Sequence, residues 1–200
     1  MPQDNTQEQI ARIAAALVVD TGADMARAKQ KALRQLGLPA RTPLPDNRQV
    51  DAAIRSHLRL FQADSQPREL HLLRELALHW MLRLAAFDPL IGGAVWQGTA
   101  TRQSDIHLQL FSDDPKEADI WLLNQNLTFD VQEAAGLQGQ RVPVLTLALP
   151  CAALQTPILL CLWIHPRTAR RGTLLPDAQG EAPHGTADQL RQRIQSPTTP

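Results

Sequence analysis

The segment that decides the fold lies in the middle of the chain and reads Ile91-Gly-Gly-Ala-Val-Trp-Gln-Gly-Thr-Ala-Thr-Arg-Gln-Ser-Asp-Ile-His-Leu-Gln-Leu-Phe111. Its apolar start, Ile91 to Trp96, predicts one strand, and the polar–apolar alternation from Asp105 to Phe111 predicts its neighbour. Alternate side chains of a strand lie on opposite faces, so Asp105, His107 and Gln109 share one face. That face indicates either the lining of a cleft or the solvated side of an edge strand, and the sequence leaves both open.

Outward from this segment, the spacing of apolar residues changes at Pro89. Before Pro89, apolar residues three and four apart predict four helices, the last from about Pro67 to Phe87. After it, the sequence predicts a short helix and three more strands: Pro115 to Asn124, then Leu127 to Glu133, Val142 to Leu149 and Ile158 to Ile164. Helices followed by strands are typical of the α+β class. We expect a mixed β-sheet of about five strands with an N-terminal helical extension.

The same pattern divides the chain into three regions. We expect a helical region over residues 1–66, a sheet domain over 67–166 and a tail over 167–200. The tail is rich in Arg, Gly, Pro and Thr and contains one candidate helix from Thr186 to Ile194. Such a composition predicts a loosely held segment.

Composition excludes several classes of protein. Of 200 residues, 44% are hydrophobic, which excludes global disorder. The 20 basic and 20 acidic residues cancel, which argues against a generally cationic nucleic-acid coat. The N-terminus lacks the basic-then-apolar order of residues that is typical of a signal peptide. Prolines interrupt the most apolar stretch of the chain, so we expect no membrane span. Two cysteines, Cys151 and Cys161, suit a reducing compartment, and we expect a soluble cytoplasmic protein.

The central segment carries a resemblance to a known family. The pair Gly98-Thr99, a short gap and the strand Ser104-Asp105-Ile106-His107-Leu108 resemble the signature of the DNA polymerase β-type nucleotidyltransferase superfamily. That signature is a Gly-Ser or Gly-Thr pair followed by an Asp-x-Asp or Asp-x-Glu strand. The match is firm over about Leu70 to Asn126. The chain is similar to a small group of uncharacterised proteobacterial proteins that have a minimal domain of this kind behind helices.

The resemblance implies a nucleotidyltransferase-like fold, a nucleoside triphosphate substrate and bound Mg²⁺ or Mn²⁺. In such chemistry, paired metal ions stabilise the attacking and leaving oxygens of nucleotidyl transfer. Carried over residue by residue, Gly98, Thr99 and Ser104 would bind the nucleotide. Asp105 and His107 would be the catalytic and metal-binding residues.

Two departures from the signature change the functional prediction. His107 stands where the second carboxylate is expected, and imidazole suits Mn²⁺ better than Mg²⁺. The strands Val142 to Leu149 and Ile158 to Ile164, which should supply a third carboxylate, contain no acidic residue. One carboxylate of an expected three remains. The resemblance therefore implies a nucleotide-binding protein with a degenerate catalytic centre, and whether it transfers nucleotides is left open.

The helical half offers an alternative function. Between Met25 and Arg59, eight basic residues stand against two acidic ones, a local charge of +6 by subtraction. Basic helix residues bind nucleic-acid phosphates or occupy ordinary solvated positions. The alternative function is that of a non-catalytic module that binds nucleic acid or protein through the basic helical half. Four of its basic residues are the candidate contacts: Arg27, Lys29, Lys31 and Arg34.

Overall fold

The first compact unit of the chain is a set of three helices. The structure is a computed structural model that describes residues 2–176 and 180–196, with side chains from residue 5 onward. The chain divides near residue 68 into two compact units. The first contains α1 (Pro2–Thr21), α2 (Met25–Gln35) and α3 (Asn47–Phe61), with α2 and α3 both in contact with α1.

Side-chain caps fix where the second and third helices begin. The Asp24 carboxylate accepts the backbone N–H groups of Ala26 and Arg27 at the start of α2. Asp46 and Gln49 form a reciprocal capping box at the start of α3. Each cap satisfies backbone donors that have no partner within the helix, which explains why the helices start at these residues.

The second unit is built on one mixed sheet of six strands. In chain order, its elements are α4 (Gln66–Arg83), β1 (Leu90–Gly92), α5 (Gly93–Gln97), β2 (Ile106–Phe111), α6 (Lys116–Asn124), β3 (Asp130–Ala135), β4 (Arg141–Leu149), β5 (Ile158–His165), β6 (His184–Gly185) and α7 (Ala187–Gln195). The strand order is β3-β4-β5-β2-β1-β6. Only the β2–β5 pair is parallel among these strands. The predicted α+β class, with helices ahead of a mixed sheet, is confirmed.

One face of this sheet forms the hydrophobic core. Alternate residues of the central strand, Ile106, Leu108 and Leu110, are completely buried. The same cluster takes in Leu73 of α4, Leu122 of α6 and the C-terminal helix. The other face of β2 is therefore the face that carries His107 and Gln109.

The predicted first strand is corrected by the structure. Ile91 to Trp96 is not one strand: β1 ends at Gly92, and α5 begins at the next residue. Gly93 has φ +66°, a left-handed conformation that turns the chain out of the sheet and that glycine adopts without strain. The expected neighbour relationship does hold, because β1 pairs with β2. The third strand also begins later than predicted, at Asp130.

The C-terminal region is more ordered than the loosely held tail that its composition predicts. His184 and Gly185 add β6 to the edge of the sheet beside β1. Thr186 and Gln189 form a capping box at the start of α7, and Leu190 of that helix is completely buried in the main core. The burial of Leu190 and the added strand hold this segment against the domain. Within the described ranges, no helix is long and apolar enough to cross a membrane.

Candidate functional site

The candidate site lies around His107, on the face of the sheet opposite the main hydrophobic core. In the strand register, His107 is opposite Cys161 of β5 on one side and Gly92 of β1 on the other. Gly92 in turn is opposite His184 of β6. Since β2 lies between β1 and β5, its polar face is not the solvated side of an edge strand, and that interpretation is wrong.

A hydrogen bond fixes the protonation pattern of His107. The indole Nε1–H of Trp163 donates to Nδ1 of His107 at 3.2 Å. An indole nitrogen only donates, so Nδ1 must accept and the neutral ring carries its hydrogen on Nε2. Burial lowers the pKa of His107, and the neighbouring carboxylate of Asp105 offsets part of that effect. His107 is therefore a neutral imidazole whose outer nitrogen is a hydrogen-bond donor.

Asp105 is the acidic residue of this cluster. It immediately precedes β2, and burial raises its pKa, while His107 partly opposes that shift. Burial and the proximity of Asp105 also raise the pKa of the Cys161 thiol to about 11. The Cys161 Sγ lies 4.0 Å from Oγ1 of Thr146 on β4. At neutral pH, the thiol is protonated and behaves as a small packing group.

The turn from β1 into α5 lies beside His107. A Cβ atom built on Gly93 would be 3.4 Å from Cδ2 of the His107 ring. A Cβ built on Gly92 would be 2.8 Å from Cδ2 of His184. Only glycine fits at Gly92 without displacing a ring. The glycine that the structure brings to His107 is thus Gly93, at the start of α5.

The predicted nucleotide-binding residues lie at the other end of α5. Gly98 ends that helix with φ +86°, and a Cβ built on it would be 3.4 Å from Nη2 of Arg74. Thr99 is buried. The Ser104 hydroxyl accepts the backbone N–H of Thr101 at 3.0 Å. These three predicted residues contribute to the connection between α5 and β2.

Two arginines anchor α5 at its C-terminal end. Arg74 Nε donates to the Val95 carbonyl at 3.2 Å, and Arg193 Nη1 donates to the Trp96 carbonyl at 2.5 Å. The Arg193 guanidinium also lies 3.5 Å from the centre of the Trp96 ring. Burial lowers the pKa of both arginines. Cations at carbonyls of a helix C-terminus are favourable, so the pair fixes the position of α5.

Two further histidines of this face were not predicted from the sequence. His184 Nδ1 lies 3.3 Å from the carbonyl oxygen of Thr173, which only accepts, so Nδ1 carries a hydrogen. His165 is buried and pairs through Nε2 with Oε1 of Gln109 at 2.6 Å. Burial lowers the pKa of His165 to about 4, with a contribution from His184. His184 lies on a two-residue strand, which is too short to give a periodic signal.

The metal pair that the resemblance implies does not fit the residues present. Among the residues that the structure describes, no three His, Cys, Asp or Glu side chains are placed to hold a metal ion. His107 has no lone pair on Nε2, and its Nδ1 is occupied by Trp163. Asp105 alone is a poor site for Mg²⁺, which is usually bound through carboxylates and substrate phosphates together. The predicted metal role of Asp105 and His107 is therefore not supported by this geometry.

Comparisons with known proteins give only partial superpositions. Two solved chains of Cid1 match, one in complex with the UTP analogue UMPNPP (TM-score 0.32, 18% identity, 53% of this chain and 32% of that chain). The other is in complex with its short product ApU (TM-score 0.34, 21% identity, 56% of this chain and 34% of that chain). A cytoplasmic RNA terminal U-transferase matches at TM-score 0.32 and 21% identity, over 56% of this chain and 33% of that chain.

This chain spans about a third of the length of those solved chains. No protein-family model matches the sequence, and none of the curated proteins matches it.

Proposed function

We propose that this chain is a nucleotidyltransferase-fold protein that binds a nucleotide but has lost metal-dependent nucleotidyl transfer. The hydrogen bond from Trp163 to Nδ1 of His107 is the observation that carries the proposal. This bond keeps His107, which stands at the position of the second carboxylate, as a neutral ring that donates a hydrogen bond from Nε2. The arrangement of β1, the glycine turn, α5 and β2 supports the first half of the proposal, because it places a bare backbone turn beside His107.

The residues that remain suit binding better than transfer. Without a pair of carboxylates, this site has little to stabilise the charge that develops on the attacking and leaving oxygens. Removing one such electrostatic contact typically lowers a rate by about 10² to 10³. The N–H of His107 still suits a phosphate oxygen, which is a hydrogen-bond acceptor. Asp105 lies next to it and, where ionised, would repel the same anion, although burial raises the pKa of this carboxyl.

The direct test measures binding and turnover separately. We expect calorimetric titration with ATP, CTP, GTP and UTP to show binding of at least one nucleotide in the presence of EDTA. We expect release of pyrophosphate with Mg²⁺ or Mn²⁺ to stay far below about 1 s⁻¹, a rate that is ordinary for an enzyme. Turnover at that rate with Mg²⁺ would contradict the loss of transfer. Failure of all four nucleotides to bind would contradict nucleotide binding itself.

A second function, nucleic-acid binding, is supported by the surface of α2. Arg27, Lys31 and Arg34 are exposed on this helix. Lys29, the fourth predicted contact, is instead bound to the Pro45 carbonyl at 3.2 Å and to Asn47 Oδ1 at 2.8 Å. We propose that only the three exposed residues would touch phosphates. RNA binding that weakens steeply between about 50 and 200 mM salt and is lost in Lys31→Glu would support this function.

We also propose that the protein is located in the cytoplasm. Cys151 and Cys161 are both free thiols. Free cysteines are typical of proteins in reducing compartments, which supports the expected cytoplasmic location.

A further inference from the structure

A cavity of about 580 Å³ lies beside the C-terminal end of α5, at the opposite end of this helix from the turn at Gly93. Cavities of about 300–1,000 Å³ are typical of sites for small organic ligands. Two arginines line this cavity, Arg74 of α4 and Arg193 of α7, together with side chains that include Glu181 and Gln192. The cavity therefore has the size of a ligand site and a lining rich in hydrogen-bond donors.

Arg74 is the buried cation of the cavity. This residue is only 7% exposed, and burial of a charge is costly unless an opposite charge compensates it. Its Nε–H donates to the Val95 carbonyl at 3.2 Å, which uses one of the five N–H donors of the guanidinium. Among the described residues, no carboxylate forms an ion pair with Arg74. The guanidinium thus has donors to spare and lacks a negative partner.

Arg193 brings a second positive charge to the same place. Its Nη1 donates to the Trp96 carbonyl, and its guanidinium lies 3.5 Å from the centre of the Trp96 ring. Stacking on an aromatic ring orients a guanidinium before any ligand arrives. Because the two arginines bind the carbonyls of consecutive residues of α5, their charges are close. Burial lowers the pKa of Arg74, and repulsion by Arg193 lowers it further.

The formal charge of the described lining is positive. Glu181 is its one acidic residue, so two arginines and one glutamate leave a charge of +1. Burial lowers the pKa of Arg193, and the carboxylate of Glu181 opposes that shift. Since Glu181 is exposed whereas Arg74 is buried, the inner part of the cavity favours a negatively charged ligand.

We propose that this cavity binds a small organic anion through a carboxylate or phosphate group that bridges the guanidiniums of Arg74 and Arg193. The planar fork of guanidinium donors matches the paired oxygens of both groups. The bound anion supplies the negative charge that the two neighbouring arginines lack. This site is separate from the candidate site around His107 and does not depend on nucleotide binding there.

Nuclear magnetic resonance of the tryptophan indoles locates the bound anion. We would titrate the full chain with inorganic phosphate and with citrate, at an ionic strength held constant with NaCl. The Trp96 N–H donates to the Ala182 carbonyl at the cavity, and the Trp163 N–H donates to His107. We expect saturable shifts of the Trp96 indole and none of the Trp163 indole. A response to citrate alone would assign the cavity to carboxylates, and a response to phosphate alone would assign it to phosphates.

Charge variants at the edge of the cavity leave both arginines and their bonds to α5 in place. Gln192→Glu adds a second acid to the lining and brings its formal charge to zero, so we expect the affinity for the anion to fall about tenfold or more. Glu181→Gln removes the existing acid and should raise the affinity by a few-fold. The matched control is Gln195→Glu, since Gln195 is exposed on the same helix but does not line the cavity. We expect the control to bind like the unmodified chain.

Three results would overturn the inference. They are the absence of a saturable Trp96 shift with both anions, a shift of the Trp163 indole in place of Trp96, and equal losses of affinity in Gln192→Glu and Gln195→Glu. Each of these results leaves the proposed nucleotide binding to its own test.

Discussion

Gly185 lies directly against the indole of Trp96, so that a Cβ atom built on this glycine would be 2.3 Å from two carbons of the ring. Gly185→Ala must displace the ring or β6. Overpacking of this kind typically costs about 1–3 kcal/mol, and we expect a loss of that size in the free energy of unfolding measured with urea.

Trp96→Leu provides the companion variant. The smaller side chain removes the collision, so the two substitutions together should cost less than the sum of their separate costs. Additive costs in this double-mutant cycle would show that the contact between Gly185 and Trp96 does not limit packing.

The stability of the second unit should fall in mildly acidic solution. The pKa of His165 is lowered to about 4 in the folded chain, against an ordinary value of 6.5. Between these values, the unfolded chain binds a proton that the folded chain does not. Stability is therefore complete above about pH 6.5 and is lost as the pH falls towards about 4, by up to about 3 kcal/mol at 1.36 kcal/mol per pKa unit.

His165→Leu isolates this contribution. The buried hydrophobic residue does not titrate, so the difference between the unfolding free energies of the two chains should shrink with falling pH. Because Asp105, His107 and His184 are present in both chains, their contributions cancel in that difference. A difference that stays constant from pH 7 to 4.5 would contradict the role of His165.

Trp163→Phe should raise the pKa of His107. The Trp163 N–H stabilises the neutral ring by donating to Nδ1 at 3.2 Å, a bond that protonation of Nδ1 would break. A hydrogen bond worth about 0.5–1.5 kcal/mol corresponds to up to about one pKa unit. Nitrogen chemical shifts should show the hydrogen of the neutral His107 ring on Nε2 in the unmodified chain. Predominance of the Nδ1–H tautomer in the unmodified chain would be incompatible with the bond.

A cluster of carboxylates should create a binding site for Mg²⁺. Cys161 is the register partner of His107 on the parallel strand β5, so His107→Asp with Cys161→Asp places two new acids beside Asp105. We expect the double variant to bind Mg²⁺ in calorimetry, and to be less stable than the unmodified chain when the metal is absent, because the like charges repel.

The matched control replaces the same residues by amides, His107→Asn with Cys161→Asn. It keeps the size of the new side chains but not their charge, and we expect no Mg²⁺ binding. Equal binding by the acidic and the amide variants would show that the carboxylates do not form the site.

Much of the fold follows from local sequence patterns. The capping box of Asp46 and Gln49 sets the start of α3, and the polar–apolar alternation after Asp105 predicts β2, because cap chemistry and side-chain period act over a few residues. The segment Ile91 to Trp96 shows the limit of such reasoning. Its apolar residues are buried in a strand and then in a helix, and the change between the two depends on the positive φ of Gly93.

The candidate site was only partly predictable for a related reason. Asp105 and His107 stand out in their own strand. Trp163 and His184 reach the same face because of the strand order of the sheet. Trp163 and His107, which share a hydrogen bond, are 56 positions apart in the sequence. No local pattern carries that information. Gly98 stands out in the sequence because a threonine follows it, as the resemblance requires, whereas no such local signal marks the position of Gly93 beside His107.

The anchoring of Trp96 has a consequence for the synthesis of the chain. Its indole donates to the carbonyl of Ala182 and its own carbonyl accepts from Arg193, contacts that span 86 and 97 positions. A ribosome adds about 5–20 residues each second, so several seconds pass between the appearance of Trp96 and that of its partners. During this interval, β1 is the outer strand of the nascent sheet and its free edge is available to other chains. The free edge of β1 is thus covered only when β6 emerges.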